Sequence, residues 1–172
     1  GLAYADGSAV VQLPAIHPVV LEAAQEPAIH VRVRNRAKLD VELLQIDRSN
    51  LHLAHRTVGR GWYPSRKHPL TALRAAVSNA SRVVWGQDTN LKKNEMKRVR
   101  IDVGKSLKGR KSGVVAVSIG AKWPKTKWWK LAKDGWASML VQVTDIGLTA
   151  RWDRDHVVVY AARLSTGEPL PG

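Results

Sequence analysis

The chain contains several stretches in which apolar and polar residues alternate one by one. Between residues 28 and 35, Ile29, Val31 and Val33 alternate with polar neighbours, which is typical of a strand with one buried face. A second alternating stretch starts at Leu39, after a short turn. Two such stretches so close together predict a β-hairpin.

The second stretch changes phase before it ends. Leu39, Val41 and Leu43 share one face, whereas the next apolar residues, Leu44 and Ile46, fall on the other. An extra residue inserted into a strand produces such a shift, so the pattern predicts a β-bulge here.

Further stretches have strand character, and turns separate them. They are Arg82–Gly86, Lys97–Val103, Gly113–Ala121, Ser138–Thr144 and His156–Ala162. In the second of these, Val99, Ile101 and Val103 are expected to point inward. The valine-rich stretch 113–121 is apolar or small on both faces, which predicts a central strand. The last two stretches are expected to be joined by turns at residues 145–147 and 151–155.

The region from residue 47 to residue 81 lacks this alternation. Within it, Pro69–Val77 predicts a short helix, because proline suits the first helical position and the apolar residues recur at helical spacing. The residues that would share its apolar face are Leu70, Leu73, Ala76 and Val77.

Six or seven short strands and one short helix predict an all-β fold: an immunoglobulin- or fibronectin III-like antiparallel β-sandwich with a short helical insertion. The last two strands have too few partners to form a domain by themselves. Unless they join the core of the first domain, we expect residues 1–136 to form one sandwich domain and residues 137–172 to supply the first strands of a second, truncated domain.

The composition excludes several classes of protein. The 172 residues include no cysteine, which excludes disulfides, thiolate metal sites and a cysteine nucleophile. Apolar runs such as Val157–Val159 are too short to span a membrane. The chain starts without Met and without a signal-peptide pattern, which indicates a processed or excerpted chain.

No catalytic or metal-binding constellation is evident. His52 and His55 lie three residues apart but have no third ligand at a suitable spacing. Ser65, Ser81 and Ser106 lack the glycine-flanked turn of a nucleophilic serine. We therefore predict no enzyme activity, no cofactor and no metal.

The net charge of +14 is the strongest signal for a binding function. Lysines and tryptophans interleave after strand 113–121, and the candidate contact residues are Lys122, Trp123, Lys125, Lys127, Trp128, Trp129 and Lys130. They are interpreted either as a surface for a polyanion (single-stranded nucleic acid, lipopolysaccharide or an anionic membrane) or as a solvated basic loop whose tryptophans pack at a domain edge or an interdomain seam. The second interpretation is favoured, because no nucleic-acid-binding motif accompanies the charge.

The C-terminal part of the chain resembles bacterial α2-macroglobulins. Residues 136–150 contain Val-Thr-Asp-Ile-Gly-Leu, similar to the opening strand and turn of a macroglobulin domain in that family. The valine-rich segment 157–160 and the segment 164–172, which reads Leu-Ser-Thr-Gly-Glu-Pro-Leu-Pro-Gly, follow as they do there. Upstream, residues 13–15, 29–35 and 39–46 resemble the preceding domain, so the resemblance covers nearly the whole chain.

This resemblance implies a function and partners. The chain would be a scaffold segment of an endopeptidase inhibitor, a protease trap, in the periplasm or elsewhere in the cell envelope. It would contact other macroglobulin domains of its parent chain, and target proteases through the whole molecule. An anionic envelope surface is a further candidate partner, whereas nucleic acid is not expected as one. The family's thioester requires a cysteine, which this chain lacks.

Turn residues give this region a physical logic. Asp145 is expected to accept a hydrogen bond from a nearby backbone N–H, and Gly147 is expected to adopt a positive φ. Thr166 and Gly167 are expected to do the same at the next turn.

Overall fold

The computed structural model describes residues 10–14, 19–58, 61–63, 70–77, 81–92, 94–121 and 135–171. Over these residues the chain forms a β-sandwich with a helical layer on one side and a separate two-stranded hairpin at the C-terminal end. The predicted all-β sandwich is confirmed. No helix in the described ranges is long and apolar enough to cross a membrane.

The smaller sheet of the sandwich has three antiparallel strands in the order β1-β3-β7. They are β1 (Val10–Gln12), β3 (Ala28–Arg34) and β7 (Met96–Asp102). The alternation in the sequence is confirmed, because Ile29, Val31 and Val33 are buried and the residues between them are not.

The larger sheet has six strands. They are β2 (Val19–Glu22), β4 (Lys38–Ile46), β5 (Gly61–Tyr63), β6 (Arg82–Asp88), β8 (Gly113–Ala121) and β9 (Gly135–Thr144). Their order is β2-β9-β8-β4-β6, and β5 pairs with β9. β2 runs parallel to β9, whereas the other pairings are antiparallel. β8 is central, as its apolar composition predicts.

The main core lies between the two sheets. The six-stranded sheet contributes the odd-numbered apolar residues of β4, β8 and β9, for example Leu39, Val117 and Met139. The three-stranded sheet contributes residues such as Val31 and Ile101. These five side chains are almost completely removed from solvent, and burial of each contributes about 1.5–3 kcal/mol to folding.

A helical layer covers part of the other face of the six-stranded sheet. It consists of α1 (Leu51–Thr57) and α2 (Thr71–Ala76), and α1 follows a single 3-10 turn at Arg48–Asn50. The layer forms a second apolar cluster with the sheet, which contains Leu44, Ile46, Ala54, Val58, Leu70, Leu73, Val77, Ala116 and Leu140. The predicted helix is confirmed from Thr71 onward, although Ala76 is exposed, and Pro69 lies outside the described residues.

The bulge predicted in β4 is wrong. The register between β4 and β8 is continuous from Leu39↔Ala121 to Ile46↔Val114. Leu44 and Ile46 are apolar because the helical layer covers their face of the strand, so both faces of β4 are buried there.

The predicted hairpin between β3 and β4 is also wrong. β3 pairs with β1 and β7, whereas β4 pairs with β6 and β8 in the other sheet. Asn35, which has a φ of 53°, lies in the connection. Asparagine tolerates this left-handed conformation better than most residues, which permits a sharp change of direction from one sheet to the other.

The C-terminal hairpin consists of β10 (Ile146–Trp152) and β11 (Val157–Arg163), paired antiparallel over their full lengths. β10 occupies a region that was expected to be mostly turn, so that expectation is wrong. Residues 137–144, in contrast, belong to β9 in the sandwich. The sandwich therefore includes strand residues beyond 136, and the division into two domains stays a prediction.

Candidate functional site

The predicted contact residues of the lysine–tryptophan segment cannot be placed. Lys122, Trp123, Lys125, Lys127, Trp128, Trp129 and Lys130 all lie outside the described residues. The polyanion surface predicted on them stays a prediction.

The described residues also contain no metal centre. No group of three or more His, Cys, Asp or Glu side chains in these ranges could hold a metal ion. His52 and His55 are both exposed on α1. The hydroxyl of Ser106 is buried and donates a hydrogen bond to the carbonyl of Val103, at 2.9 Å, so it has a structural partner.

A cleft of about 390 Å³ lies beside α2, on the face of the six-stranded sheet opposite the main core. Its lining includes charged side chains of β4, β6 and α2 together with an indole ring: Lys38, Asp40, Glu42, Arg74, Arg82 and Trp136. Sequence reasoning did not anticipate this cleft.

Glu42 is the central charge of this cleft and is only 3% exposed. Its carboxylate accepts hydrogen bonds from Arg74 Nε at 2.7 Å and from Arg82 Nε at 2.9 Å, and Arg74 Nη2 contacts its second oxygen. Hydrogen bonds between ionised groups of this kind are among the strongest in proteins. The cluster therefore fastens α2 to the sheet.

Two glycines lie beside Asp40 on the sheet, and one of them, Gly86, lines the cleft. Gly86 and Gly120 lie on either side of Asp40 in one cross-strand row of β6, β4 and β8. The Trp136 ring covers Gly120, and the Lys38 side chain covers Gly86. The missing side chains let these two larger residues lie flat against the sheet.

The C-terminal hairpin has one apolar face that is open to solvent. Residues at alternate positions of the paired strands share a face, so the hairpin apolar face consists of Ile146, Leu148, Ala150, Trp152, Val157, Val159 and Ala161. Leu148 is 69% exposed, Trp152 80% and Val157 68%. A contiguous exposed apolar patch of this kind is typical of an interaction surface. A two-stranded hairpin is only marginally stable in water unless its apolar face packs against another element.

Asp145 organises the start of this hairpin. Its carboxylate accepts a hydrogen bond from the backbone N–H of Ser165 at 2.9 Å and lies 3.5 Å from Arg163 Nη1. The hydrogen bonds from Ser165, supported by the positive charge of Arg163, lower the pKa of Asp145 from its ordinary value of 3.8. The expected role of Asp145 as a hydrogen-bond acceptor is confirmed, although its partner lies across the hairpin.

The expectations for the neighbouring glycines have different outcomes. Gly147 pairs with Ala162 inside β10 and has no positive φ, so that expectation is wrong. Gly167 has a φ of 74°, and the Thr166 hydroxyl accepts a hydrogen bond from the Glu168 N–H, as predicted.

Together, the sandwich and the hairpin define the class of protein: a β-sandwich followed by a strand pair with an exposed apolar face. No protein-family model and no curated protein matches the chain. Solved structures of native α2-macroglobulin from Escherichia coli are similar in fold. The chain matches the structure spanning domains MG0-NIE-MG1 with a TM-score of 0.60 and 16% identity over 94% of its length. It matches the structure spanning NIE-MG1 with a TM-score of 0.57 and 13% identity over 97% of its length.

The chain spans about half of the first of these structures, 47%, and 75% of the second. At these identities the similarity establishes a common fold, which agrees with the resemblance read from the C-terminal motifs. Sequence reasoning missed the Glu42 cluster, because its partners Arg74 and Arg82 are 32 and 40 residues away. The one signal of the cluster in the sequence was Glu42 itself, an acidic residue between the apolar residues of β4.

Proposed function

We propose that this chain is a scaffold segment of a bacterial α2-macroglobulin-like endopeptidase inhibitor and performs no catalysis itself. The observation that carries the proposal is the hairpin apolar face, which leaves Leu148, Trp152 and Val157 in solvent next to a sandwich with the fold of α2-macroglobulin domains. The face would be buried by the remaining strands of a second macroglobulin domain.

The extent of the structural similarity supports this assignment. The similarity extends over 97% of this chain but over only 75% of the structure that spans domains NIE-MG1. One complete domain and part of the next would produce this relationship. We infer that the sandwich up to Thr144 corresponds to the complete domain and that the hairpin from Ile146 opens the following one.

The role of such a segment in protease trapping is mechanical. In the mechanism that the family resemblance implies, cleavage of a distant segment releases packed domains, which then enclose the protease. A domain in that assembly must stay folded while its interfaces change. The main core, in which residues of β4, β8 and β9 are almost fully buried, supplies that stability.

The alternative function, a module that binds polyanions through the lysine–tryptophan segment, gains no support from the described residues. It remains a prediction from sequence.

The domain proposal is tested by extending the chain. We would express the parent protein, or this chain together with the segment that follows it. The burial of Trp152 would then be measured by hydrogen exchange of its backbone amide and by quenching of its indole fluorescence. Burial of Trp152 and slow exchange across β10 and β11 are expected. Continued exposure of Trp152 in the longer protein would contradict the proposal.

Matched variants make the test specific. Leu148→Asp places a charge on the hairpin apolar face, whereas Thr149→Asp places the same charge on the opposite face of the same strand. In the parent protein, Leu148→Asp is expected to expose the second domain to limited proteolysis, and Thr149→Asp to leave it resistant. Equal sensitivity of both variants would argue against burial of this particular face.

The inhibitor proposal is tested on the parent protein with a general endopeptidase. Because a trap acts by enclosure, the treated protease should lose activity against a large protein substrate and keep activity against a small peptide. Unchanged digestion of the large substrate would contradict inhibition.

A further inference from the structure

The outer face of the three-stranded sheet carries four arginines. Successive residues of a strand point to opposite faces, so the residues between the buried valines and isoleucines of β3 and β7 point outward. We call this surface the arginine face and define it by Arg32 and Arg34 of β3 and Arg98 and Arg100 of β7.

The register brings these charges together. Arg32 lies directly opposite Arg98, and His30 lies directly opposite Arg100. Directly opposed residues in an antiparallel sheet have Cβ atoms about 4.5–5.5 Å apart, and the next row on the same face lies about 7 Å away. Like charges in such positions repel each other and destabilise the sheet.

One arginine of this face has an exposed acidic partner. Arg100 Nη2 contacts the Glu26 carboxylate at 2.9 Å, but Glu26 is 87% exposed. The Asp102 carboxylate at the end of β7 accepts a hydrogen bond from the Gly104 N–H. Arg32 and Arg98 are exposed and have no ion-pair partner among the described residues.

From this geometry we propose that the arginine face docks onto an anionic lipid surface. The face is an open sheet surface with charges repeated in two directions, so its complement is a planar array of negative groups. Exposed positive charges are attracted to phosphate groups, which lipid headgroups supply in such an array. This proposal is independent of the role in protease inhibition.

Nucleic acid is the poorer complement. The strands of this sheet contain no Trp, Tyr or Phe, and proteins that bind single strands without sequence preference rely on aromatic side chains to stack the bases.

The expected strength of membrane binding follows from the number of arginines. Each arginine near an anionic membrane increases the partitioning of a protein onto that membrane about fivefold.

The test measures binding of the chain to sedimented vesicles of phosphatidylcholine and phosphatidylglycerol in a two-to-one ratio, with pure phosphatidylcholine vesicles as reference. Binding to the anionic vesicles alone is expected, and it should fall steeply with added salt because salt screens exposed charges. No preference for the anionic vesicles would overturn the proposal.

Paired substitutions separate the arginine face from net charge. Arg32→Gln with Arg98→Gln should lower partitioning about 25-fold. Arg56→Gln with Arg110→Gln removes the same charge from α1 and from the loop after β7, where both residues are exposed, and should lower it less than about threefold. Equal losses would overturn the proposal, because they would show a general effect of charge.

Two further arms identify the partner. Arg32→Lys with Arg98→Lys keeps the charge, so most binding to vesicles should remain; a loss as large as that of the glutamine pair would overturn docking onto a lipid surface. Displacement of the chain from vesicles by a DNA duplex at equal phosphate concentration would also overturn docking onto a lipid surface. Circular dichroism of each variant should match the parent, since all the substituted side chains are exposed.

Discussion

The indole ring of Trp136 lies against the α-carbon of Gly120, its direct partner on the neighbouring strand. A Cβ atom at position 120 would lie 2.5 Å from the ring, which no side chain can occupy without displacing it. On the other side of Asp40, the corresponding position at Gly86 meets only the flexible Lys38 side chain.

This relationship predicts different costs for two similar substitutions. Gly120→Ala should lower the free energy of unfolding by about 1–3 kcal/mol, because the ring must leave its position. Gly86→Ala should change it by less than about 1 kcal/mol, because the lysine stem can move aside. Urea unfolding checks both variants. Equal destabilisation would show that the contact with the Trp136 ring does not determine the cost.

Removing the buried carboxylate of Glu42 should destabilise the fold more than removing an exposed carboxylate. Glu42→Ala should lower stability by about 2–3 kcal/mol, since it removes charged hydrogen bonds to Arg74 and Arg82, which are themselves partly exposed and regain water. Glu26→Ala, which removes the exposed partner of Arg100, should cost less than about 0.5 kcal/mol.

Chemical denaturation of both glutamate variants provides the comparison. A double substitution with Arg74→Ala should be less harmful than the sum of the single ones, because both remove the same interaction. Additive losses would indicate that Glu42 acts independently of α2.

Asp145 predicts how the hairpin responds to acid. Its pKa is lowered in the folded chain by the hydrogen bonds from Ser165 and by Arg163. A lowered pKa means that the stabilisation is complete above the unfolded value of 3.8 and is lost as the pH falls through the lower folded value.

NMR titration of the Asp145 carboxyl carbon should therefore give a midpoint below 3.8. Exchange of the Ser165 amide should accelerate in the same acid range, and this change should disappear in Asp145→Asn. Asp153→Asn, at the opposite end of the hairpin, is the control and should keep it. A midpoint at or above the ordinary value would contradict the observed contacts.

The repulsion between Arg32 and Arg98 predicts a stabilising substitution. Arg98→Glu places opposite charges across the register and should raise the free energy of unfolding by about 0.2–1 kcal/mol. The gain should shrink with added salt, because the pair is exposed. Arg110→Glu is the control in the exposed loop, where no comparable gain is expected; equal gains would point to reduced net charge as the cause. Thermal unfolding at low and high salt measures the effect.

The local pattern of residues determined most of the longer strands of the sandwich and which of their faces are buried. Ile29, Val31 and Val33 point inward as their spacing predicts, because side chains alternate along any extended backbone. Turn chemistry was equally local at Thr166 and Gly167. The macroglobulin-like motifs of the C-terminal segment were also visible without a structure.

Only the tertiary structure decided which strands pair and what each face covers. β3 and β4 are close in the chain yet belong to different sheets, and Leu44 is apolar because a helical layer from residues 51–77 covers it. The Glu42 cluster and the alignment of Arg32 with Arg98 likewise join residues distant in the chain. Such pairings join segments that are distant in the sequence, and a local pattern of residues does not show which distant segment a strand will meet. They are therefore decided only when the sheets assemble.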